Sequence, residues 1–440
     1  MASLPATMKF TSKLNANLNG KMRELVEISP TNGASSYSPN GYVDFEIPAR
    51  QLQKMAQLKN AYYNFDITNA DIAQDASLQG RAGSAGLVER QVFSTVGATF
   101  SDVSGFNVLT PVLMSKSFSD EWLAYNGSGL MGTGADVTGR AILKYAAPNI
   151  ADETYKINVC LPFINSGASV DYFPLDCRHD YKIRLYLDTV VHALIADSAV
   201  TDSDITFTNF KFIYDVVELD DDVYKNKLIS QGMKYVIPAY DWQHLATSVG
   251  SDDVAKILQI GISRNKMQKL LLVFRENTII ETALAASTVA RDKMKLTKIL
   301  VKYKGKPVIS SNGVEMSELS SSKAFVEALK SRGSLLDASV TTLTQSSYDL
   351  DVSDGLTDAT NGRFFYELDM TNHLESHSSE SGMVAENNNI TVELTKVSLG
   401  TSKTYTVDVF VQYYNEYHMN MNPELPKYRE WQVVENAEEE

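Results

Sequence analysis

The sequence predicts an all-β protein built from two tandem antiparallel β-sandwiches, and three observations lead to that prediction. Two long stretches, 205–219 (ITFTNFKFIYDVVEL) and 404–417 (TYTVDVFVQYYNEY), share a pattern of alternating aromatic and β-branched residues and lie about 199 residues apart. Shorter alternating runs of strand length fill most of the chain outside them. The chain has 440 residues, which is too long for one ordinary core and sufficient for two domains of about 200 residues each.

The two similar stretches indicate one β-fold used twice. Because strand side chains alternate between faces, each stretch places one set of apolar residues on one side of a sheet. These sets are Phe210, Phe212, Tyr214 and Val216 in the first stretch and Val407, Val409, Val411 and Tyr413 in the second. A second similarity joins 45–48 (FEIP) to 235–238 (YVIP) about 190 residues later. Each half is therefore predicted to open with an Ile-Pro strand and to close with a long aromatic strand.

Composition and charge exclude several classes of protein. Hydrophobic residues make up 44% of the chain and charged residues 21%, as in a folded protein. The longest apolar runs, such as 269–274 (KLLLVF), have the length of a strand and are too short to span a bilayer. Residues 1–18 lack the apolar core of a secretion signal, so we expect synthesis and folding in a cytosol-like compartment. The net charge of -14 argues against broad wrapping of nucleic acid, and we expect no sequence-specific nucleic acid as a partner. A local contact through the basic residues Lys9, Lys13, Lys21 and Arg23 stays open, with a solvated arm as the alternative. Cys160 and Cys177 are expected to stay reduced.

In the first half, residues 1–40 are rich in Ser, Asn and Pro and are predicted to form an N-terminal arm with a short helix near 20–26. The first sandwich is predicted over residues 41–222, where it ends in the acidic link Asp220-Asp221-Asp222. Its strands are predicted at 42–47, 61–67, 91–100, 106–113, 156–163, 172–189 and 205–219.

The second sandwich is predicted over residues 223–421, followed by an acidic C-terminal tail at 422–440. Its strands are predicted at 234–238, 255–262, 269–274, 297–304, 308–310, 364–370, 390–397 and 404–417. Helical spacing of apolar residues predicts a helix at 317–331, and frequent alanine predicts another at 277–294. Residues 342–362 and 372–388 are long polar loops.

Many strands, few short helices and long loops together favour the jelly roll among β-sandwiches. Its two opposed four-stranded sheets tolerate long insertions at their ends without disturbing the core. The predicted fold is thus two tandem antiparallel eight-stranded jelly rolls with a few short helices in loops.

The residues that usually carry chemistry do not form a recognisable site in the sequence. His373 and His377 are four residues apart, but Leu374 stands where a metalloprotease motif needs Glu. The remaining histidines, which are His179, His192, His244 and His418, lack the spacing of a metal site on strands. Neither a Gly-x-Ser-x-Gly motif nor a cysteine in a nucleophile context occurs. We therefore predict no catalytic, cofactor-binding or metal-binding residues and no cofactor.

Strand patterns between about residue 42 and residue 421 resemble those of a known family. The similarity rests on 161–163 (LPF) before a small-residue loop, 173–175 (FPL) leading into 183–185 (IRL), and the closing strands 210–219 and 405–417. In these features the chain resembles double jelly-roll major capsid proteins, most closely those of the polinton, polinton-like virus and virophage group.

This resemblance implies a structural protein of a virion and no enzymatic activity. Members of the family form homotrimers whose six jelly rolls make a pseudo-hexagonal capsomer, and capsomers tile an icosahedral shell through trimer–trimer contacts. The implied partners are other copies of the chain, penton and minor capsid proteins, and in some viruses an inner membrane. By the same resemblance the loops 70–91, 115–142, 281–294 and 340–362 would form the outer surface or contacts between subunits.

The C-terminal tail supplies the only predicted site residues. Tyr428 and Trp431 are aromatic side chains of the kind enriched at the centres of interfaces, so they are candidate anchors between subunits. The alternative is a frayed acidic end that finishes in Glu438-Glu439-Glu440.

Two other functional classes stay open at this point. A carbohydrate- or receptor-binding β-sandwich, such as a spike or lectin-like protein, would share the strands but would need an aromatic platform or a calcium-binding acidic cluster. The 22 tyrosines leave room for such a platform. An enzyme on a jelly-roll scaffold would need histidine and carboxylate groups that converge in a cleft.

Overall fold

The computed structural model describes residues 20–71, 74–78, 82–114, 140–143, 156–163, 172–196, 200–219, 235–251, 253–261, 264–280, 291–317, 321–331, 345–348, 364–371, 383–385, 390–398, 404–421 and 429–433. Strands of the first half are Gly20–Ile28 (β1), Ser36–Tyr37 (β2), Tyr42–Ile47 (β3), Lys54–Asn69 (β4), Ala76–Leu78 (β5), Val88–Thr95 (β6), Ala98–Ser104 (β7), Arg140–Leu143 (β8), Lys156–Pro162 (β9), Tyr172–Pro174 (β10), Tyr181–Leu187 (β11), Leu194–Ala196 (β12) and Ile205–Leu219 (β13).

Strands of the second half are Tyr235–Gly250 (β14), Ala255–Ile260 (β15), Arg264–Glu276 (β16), Leu296–Tyr303 (β17), Lys306–Pro307 (β18), Val314–Glu315 (β19), Phe365–Asp369 (β20), Met383–Ala385 (β21), Ile390–Lys396 (β22), Thr404–Met421 (β23) and Arg429–Val433 (β24). The helices are Phe106–Met114 (α1), Val190–Ala193 (α2), Asn277–Ile280 (α3), Ser322–Ser331 (α4) and Gln345–Tyr348 (α5), and Gly83–Leu87 forms a 3-10 turn.

The first half is a jelly roll. Its two main sheets have the strand orders β1-β13-β4-β10 and β3-β11-β6-β7, and all their pairs are antiparallel. Strands β2 and β9 extend the first of these sheets, and β12-β5-β8 form a small third sheet. If β1, β3, β4, β6, β7, β10, β11 and β13 are counted as strands one to eight, the two orders read 1-8-3-6 and 2-7-4-5.

The second half repeats this topology. Its sheets have the orders β14-β23-β16-β20 and β15-β22-β17-β18, which again read 1-8-3-6 and 2-7-4-5 when the strands are counted along the chain. Strands β19, β21 and β24 add to these sheets at β17, β16 and β23. Two rolls with one strand order confirm the predicted pair of tandem antiparallel jelly rolls.

Each roll buries its own core, and the two cores differ in chemistry. The first is aromatic: the rings of Phe65 and Phe210 stack with centroids 4.4 Å apart, and Phe93 lies within 5.8 Å of the rings of Phe100 and Tyr181. The second is mainly aliphatic, with buried residues from β16, β17, β22 and β23. Offset and edge-to-face ring pairs add to the stability given by burial, so the first core depends strongly on ring geometry.

The two similar stretches of sequence are β13 and β23, the eighth strand of each roll, as the repeat predicted. The prediction that both halves open with an Ile-Pro strand is wrong. Residues 45–47 lie in β3, the second strand of the first roll, whereas 235–238 lie in β14, the first strand of the second roll. The Ile-Pro similarity therefore joins strands that are not equivalent.

The first strand of the first roll is β1, at the position where a short helix was predicted. It pairs with β13 from Gly20 opposite Leu219 to Ile28 opposite Phe212. The sequence RELVEI alternates with period two, so that Val26 and Ile28 pack on the core and Leu25 points to solvent. Strand β1 lies inside the predicted N-terminal arm, and β24 lies inside the predicted C-terminal tail.

The strand predicted at 106–113 is wrong, because these residues form α1. A short continuous apolar run looks the same whether it is a buried strand or a buried helix. Here Gly105, with a backbone φ of +64°, turns the chain out of β7, and α1 is buried on nearly all sides.

The other predicted helices and loops are partly described. The helix predicted at 317–331 is α4, and of the one predicted at 277–294 the first turn is α3. Residues 281–290, and most of the loops 342–362 and 372–388, lie outside the described residues. The loop 70–91 is not a simple surface loop, because it carries β5 and the 3-10 turn, whose Ala76, Leu78 and Leu87 are buried in the first core.

The cysteines lie apart as free thiols. The Sγ of Cys160 accepts a hydrogen bond from Asn64 Nδ2 at 3.2 Å, and the Sγ of Cys177 lies 3.0 Å from the hydroxyl of Tyr181. In the described part of the chain no helix has the length and apolar character needed to cross a membrane.

We expect Phe93→Ala to lower the free energy of unfolding by about 3–5 kcal/mol, because the substitution leaves a cavity among the rings of Phe100, Phe163, Phe173 and Tyr181. Urea unfolding followed by tryptophan and tyrosine fluorescence measures this loss. Leu52→Ala is the matched control, because Leu52 is 50% exposed and should change stability little. Equal losses in the two variants would contradict the proposed role of the ring cluster.

Candidate functional site: the junction between the two rolls

Where the two rolls meet, each core contains buried side chains that belong to the other roll. Val103 of β7 and Val108, Leu109 and Val112 of α1 belong to the first roll in sequence but are buried in the core of the second. Conversely, Tyr417 of β23 is buried in the core of the first roll. Since each core contains side chains from the other roll, the rolls cannot separate without opening both cores.

Tyr417 is the main contact from the second roll into the first. Its ring lies 5.0 Å from the ring of Phe100, and its hydroxyl donates a hydrogen bond to the carbonyl oxygen of Thr99 at 2.8 Å. The aromatic ring is thus buried while its polar end is satisfied by a backbone group of β7. This arrangement fixes the position of β7 against β23.

Asp241 of β14 is a buried carboxylate at the junction, with 4% of its surface exposed. It accepts hydrogen bonds from the hydroxyl of Ser101 in β7 at 3.2 Å and from the hydroxyl of Tyr413 in β23 at 2.9 Å. The backbone amides of Trp242 and Asp102 also donate to it. Burial outweighs these hydrogen bonds and raises the pKa of Asp241 to about 6.

A second polar network lies beside Asp241. His244 of β14 and Arg275 of β16 both bond to Asp408 of β23: His244 Nε2 lies 2.9 Å from Oδ1, and Arg275 Nε donates to Oδ2 at 2.7 Å. Only 1% of the Asp408 side chain is exposed. Burial alone would raise the pKa of Asp408, but the charge of Arg275 and the hydrogen bonds from His244 and Arg275 outweigh it, so the pKa lies below its usual range.

His244 connects this network to the first roll. Its ring stacks on Phe410 with centroids 4.6 Å apart, and its Nδ1 lies 3.3 Å from Ser104 Oγ at the end of β7. A Cβ at Gly105 would lie 3.0 Å from the imidazole, and the φ of +64° is one that side-chain-bearing residues rarely adopt, so a substitution there would be strained. Ser104, His244 and Asp408 are the residue types of a hydrolase triad, but Arg275 balances the charge of Asp408. Because His244 bonds to Asp408 of β23 and lies beside Ser104 of β7, the network links these two strands.

The start of α1 is fixed to the first roll by Asp188. Asn107 Nδ2 donates to Asp188 Oδ2 at 2.6 Å, and His192 Nδ1 lies 3.2 Å from Asp188 Oδ1. The hydrogen bond that the His192 imidazole donates to the Asp188 carboxylate, opposed in part by burial, raises the pKa of His192. Helix α1 is therefore held by polar contacts in the first roll while its apolar side chains lie in the core of the second.

The residues predicted as interface anchors are placed only in part. Tyr428 lies outside the described residues, and Trp431 lies in β24 opposite Met419, where the backbone alone is described. His373 and His377 also fall outside the described residues. Within the described ranges no cluster of three or more His, Cys, Asp or Glu side chains could hold a metal ion.

Sequence reasoning missed the junction. Asp241, His244 and Asp408 each interrupt an apolar strand, and a polar residue on a face that the pattern buries is a usable signal. The pattern did not say which side chains would bond to one another, because Ser101 and Asp241 are 140 residues apart.

We expect the stability of the chain to fall as the pH rises from about 4 to about 6, in part because of Asp241. A carboxyl whose pKa is raised in the folded chain binds its proton more tightly there, so its contribution is complete below its ordinary pKa and is lost as the pH passes about 6. The full loss is about 3 kcal/mol.

Asp241→Asn tests this expectation by removing the ionisation. The amide variant should be more stable than the original chain at pH 7.5 and about equally stable at pH 4, as measured by thermal unfolding. Asp253→Asn, which changes an exposed carboxylate, is the control. An Asp241→Asn chain that is less stable at pH 7.5 would contradict the assignment.

We expect Arg275→Met to destabilise the chain by about 3–5 kcal/mol, because it leaves the buried carboxylate of Asp408 without its cation. The double variant Arg275→Met/Asp408→Leu should recover most of this loss, since the buried carboxylate is then removed together with its cation. Arg184→Met is the matched control: its ion pair with Asp44 is exposed and should contribute less than about 1 kcal/mol. Urea unfolding measures both variants. Similar losses in the free energy of unfolding for Arg275→Met and Arg184→Met would contradict the expected difference between the buried and the exposed ion pair.

Neither a protein-family model nor a curated protein matches this sequence. Solved structures with the same architecture do match. PBCV-1 VP54, as fitted into a reconstruction of the virophage Sputnik, aligns with a TM-score of 0.62 at 9% identity over 94% of this chain and 97% of its own.

A quasi-atomic capsid structure of PBCV-1 virus aligns with a TM-score of 0.58, at 9% identity and with the same coverage of both chains. The Faustovirus major capsid protein aligns with a TM-score of 0.55 at 10% identity over 90% of each chain. At these identities the similarity is one of fold, and it extends through both rolls. Together with the repeated strand order, it shows that this chain has the double jelly-roll fold found in these viral capsid structures.

Proposed function

We propose that the chain is a viral major capsid protein that forms homotrimeric, pseudo-hexagonal capsomers, and that these tile an icosahedral shell. The observation that carries the proposal is the pair of rolls with identical strand order, joined by a junction that is buried on both sides. The fold shared with the Faustovirus major capsid protein and the PBCV-1 capsid structure supports it.

The junction gives a physical reason for this function. A tile of a closed shell must present its edges at fixed angles, because small rotations within each subunit add up across the lattice. The rolls share core residues, and the buried carboxylate of Asp241 accepts hydrogen bonds from Ser101 of the first roll and Tyr413 of the second. Such a junction holds one relative orientation of the rolls, as a tile requires.

The resemblance of the sequence to double jelly-roll major capsid proteins supplies the remaining details of the proposal. The proposed partners are further copies of the chain, with penton and minor capsid proteins at special positions of the shell, and the protein resides in the virion. Residues 41–222 and 223–421 are the proposed limits of the two rolls, with β1 added to the first and β24 to the second. Tyr428 and Trp431 are proposed as anchors between subunits.

A carbohydrate- or receptor-binding protein is the less favoured function. The PBCV-1 capsid structure and the Faustovirus major capsid protein align with this chain over 97% and 90% of their own lengths. At the junction, Asp241 accepts a hydrogen bond from Ser101 of the first roll, and His244 lies 3.3 Å from Ser104 of the first roll. These polar groups therefore favour a structural role for the junction over the binding of a small ligand.

We expect the purified chain to sediment as a trimer that persists on dilution, whereas larger assemblies dissociate more readily. Contacts within a closed trimer bury more apolar surface than contacts between trimers. Sedimentation velocity over a wide range of protein concentration measures the first point, and negative-stain microscopy should show pseudo-hexagonal particles with threefold symmetry. A chain that stays monomeric at every concentration would refute the proposal.

A further inference from the structure

The second strand of each roll, β3 or β15, lies at the edge of its sheet. In the first roll this edge is covered by the connection that precedes β3. The backbone amide of Thr31 donates to the carbonyl oxygen of Asp44 at 2.8 Å, and Asn32 Nδ2 donates to the carbonyl oxygen of Tyr42 at 3.0 Å. The first roll thus satisfies the outer edge of its second strand with its own chain.

Strand β15 has no such cover within the part of the chain that the structure describes. It pairs with β22 and with no other described strand. Residues 251–254 alone join β14 to β15, whereas residues 29–41 lie between β1 and β3. A connection of that length is too short to fold back along a strand of six residues. The outer edge of β15 is therefore able to accept a strand from another chain.

The pairing with β22 determines which backbone groups of β15 face this open edge. The backbone amide of Lys396 donates to the carbonyl oxygen of Val254 at 3.0 Å, so these two residues form a hydrogen-bonded pair. In an antiparallel ladder such pairs alternate with pairs that are not hydrogen-bonded. Every second residue of β15 therefore directs its N–H and C=O groups away from β22. These residues are Ala255, Ile257 and Gln259.

The side chains at this edge are exposed and carry little net charge. Ile257 in the middle of β15 is 60% exposed. On β15 and β22 the charges at the surface are paired: Lys256 lies 3.6 Å from Asp253, and Glu393 forms an ion pair with Lys302. Copies of a chain with a net charge of -14 repel one another, so a locally neutral edge with an apolar side chain is a favourable place for contact between copies.

The edge of β15 is also complementary to itself. Two copies of β15 can pair as antiparallel strands about a twofold axis at Ile257, which places Ile257 opposite its own copy and Ala255 opposite Gln259. All of these residues direct their backbone groups to the open edge, so each pair can exchange both of its hydrogen bonds. Lys256 then stands opposite Leu258, and no residue of the strand faces a like charge directly.

We propose that β15 pairs with β15 of a second copy of this chain across a twofold axis, and that this pairing joins neighbouring capsomers. The inference rests on the proposed function and names a surface between capsomers. Copies within a trimer are related by a threefold axis, so a contact between identical surfaces, which requires a twofold axis, must lie between trimers. One short strand from each side buries little surface, and such a contact dissociates more readily than the trimer.

Ile257→Asp tests this pairing by sedimentation velocity of the full chain. The substitution places two carboxylates opposite each other at the twofold axis. The protein concentration at which half of the trimers join larger assemblies should rise at least about tenfold, while the trimer itself persists. Leu25→Asp is the matched control, because Leu25 is also 60% exposed on an edge strand but lies on β1 of the first roll. Thermal unfolding of each variant shows whether the subunit is folded.

Trimers of Ile257→Asp that join larger assemblies at the same concentration as those of Leu25→Asp would overturn this inference and leave the proposed function intact. A chain without substitutions that forms no trimer would instead refute the proposed function. If Ile257→Asp does not fold, cysteine variants of β15 test the pairing without a new charge.

Cross-linking with a short bismaleimide tests the register. Pairing about Ile257 places two copies of Ile257→Cys opposite each other, with Cα atoms about 5.5 Å apart, so this variant should give a covalent dimer. Gln259→Cys is the matched control on the same strand, because its two copies are offset by about 13 Å along the pair. The unsubstituted chain gives the background from Cys160 and Cys177.

Equal yields of dimer from Ile257→Cys and Gln259→Cys would overturn the self-pairing. If Ile257→Asp weakened assembly while the two yields were equal, a different segment would cover the edge of β15, and the proposed contact would again be wrong. An excess of dimer from Ile257→Cys alone, together with weaker assembly of Ile257→Asp, is the expected result.

Discussion

The exchange of buried residues between the two cores is the constraint on which the rest of the structure depends. Helix α1 is fixed to the first roll through Asp188 and buries its apolar side chains in the second, while Tyr417 extends in the opposite direction. Neither core is complete without the other roll. The chain is therefore one mechanical unit, although its topology consists of two equal parts, and any role that needs a fixed shape follows from this.

The polar groups at the junction determine orientation more than they add stability. A buried carboxylate such as Asp241 costs free energy to ionise, and an apolar residue of the same size would often stabilise a fold as well. Hydrogen bonds, however, are directional, and Asp241 and Asp408 each accept them from more than one strand. A relative rotation of the rolls would remove the hydrogen bond from Ser101 of the first roll to the buried carboxylate of Asp241, a loss that apolar packing alone would not penalise so strongly.

The periodicity of the sequence predicted those strands whose pattern depends on a single segment of the chain. Long alternating strands such as β13 and β23 were recognisable because their side chains face one core and follow period two over many residues. It failed for α1, whose sequence is apolar on every side, and for β1, whose short alternation begins in a polar arm. The junction could not be predicted, since its bonds join residues about 140 positions apart in different rolls and strand pattern carries no information about such pairs.

Fusion of the two rolls in one chain changes the thermodynamics of the proposed capsomer. A ring of six separate rolls would pay the loss of translational and rotational freedom at every roll–roll contact, whereas a ring of three double rolls makes half of these contacts within the chain. The internal contact can then be strong and buried, as the shared cores are here. The external contact need only be strong enough to close the ring. The duplication thus places the strongest roll–roll contact within one chain, where its formation does not depend on the protein concentration.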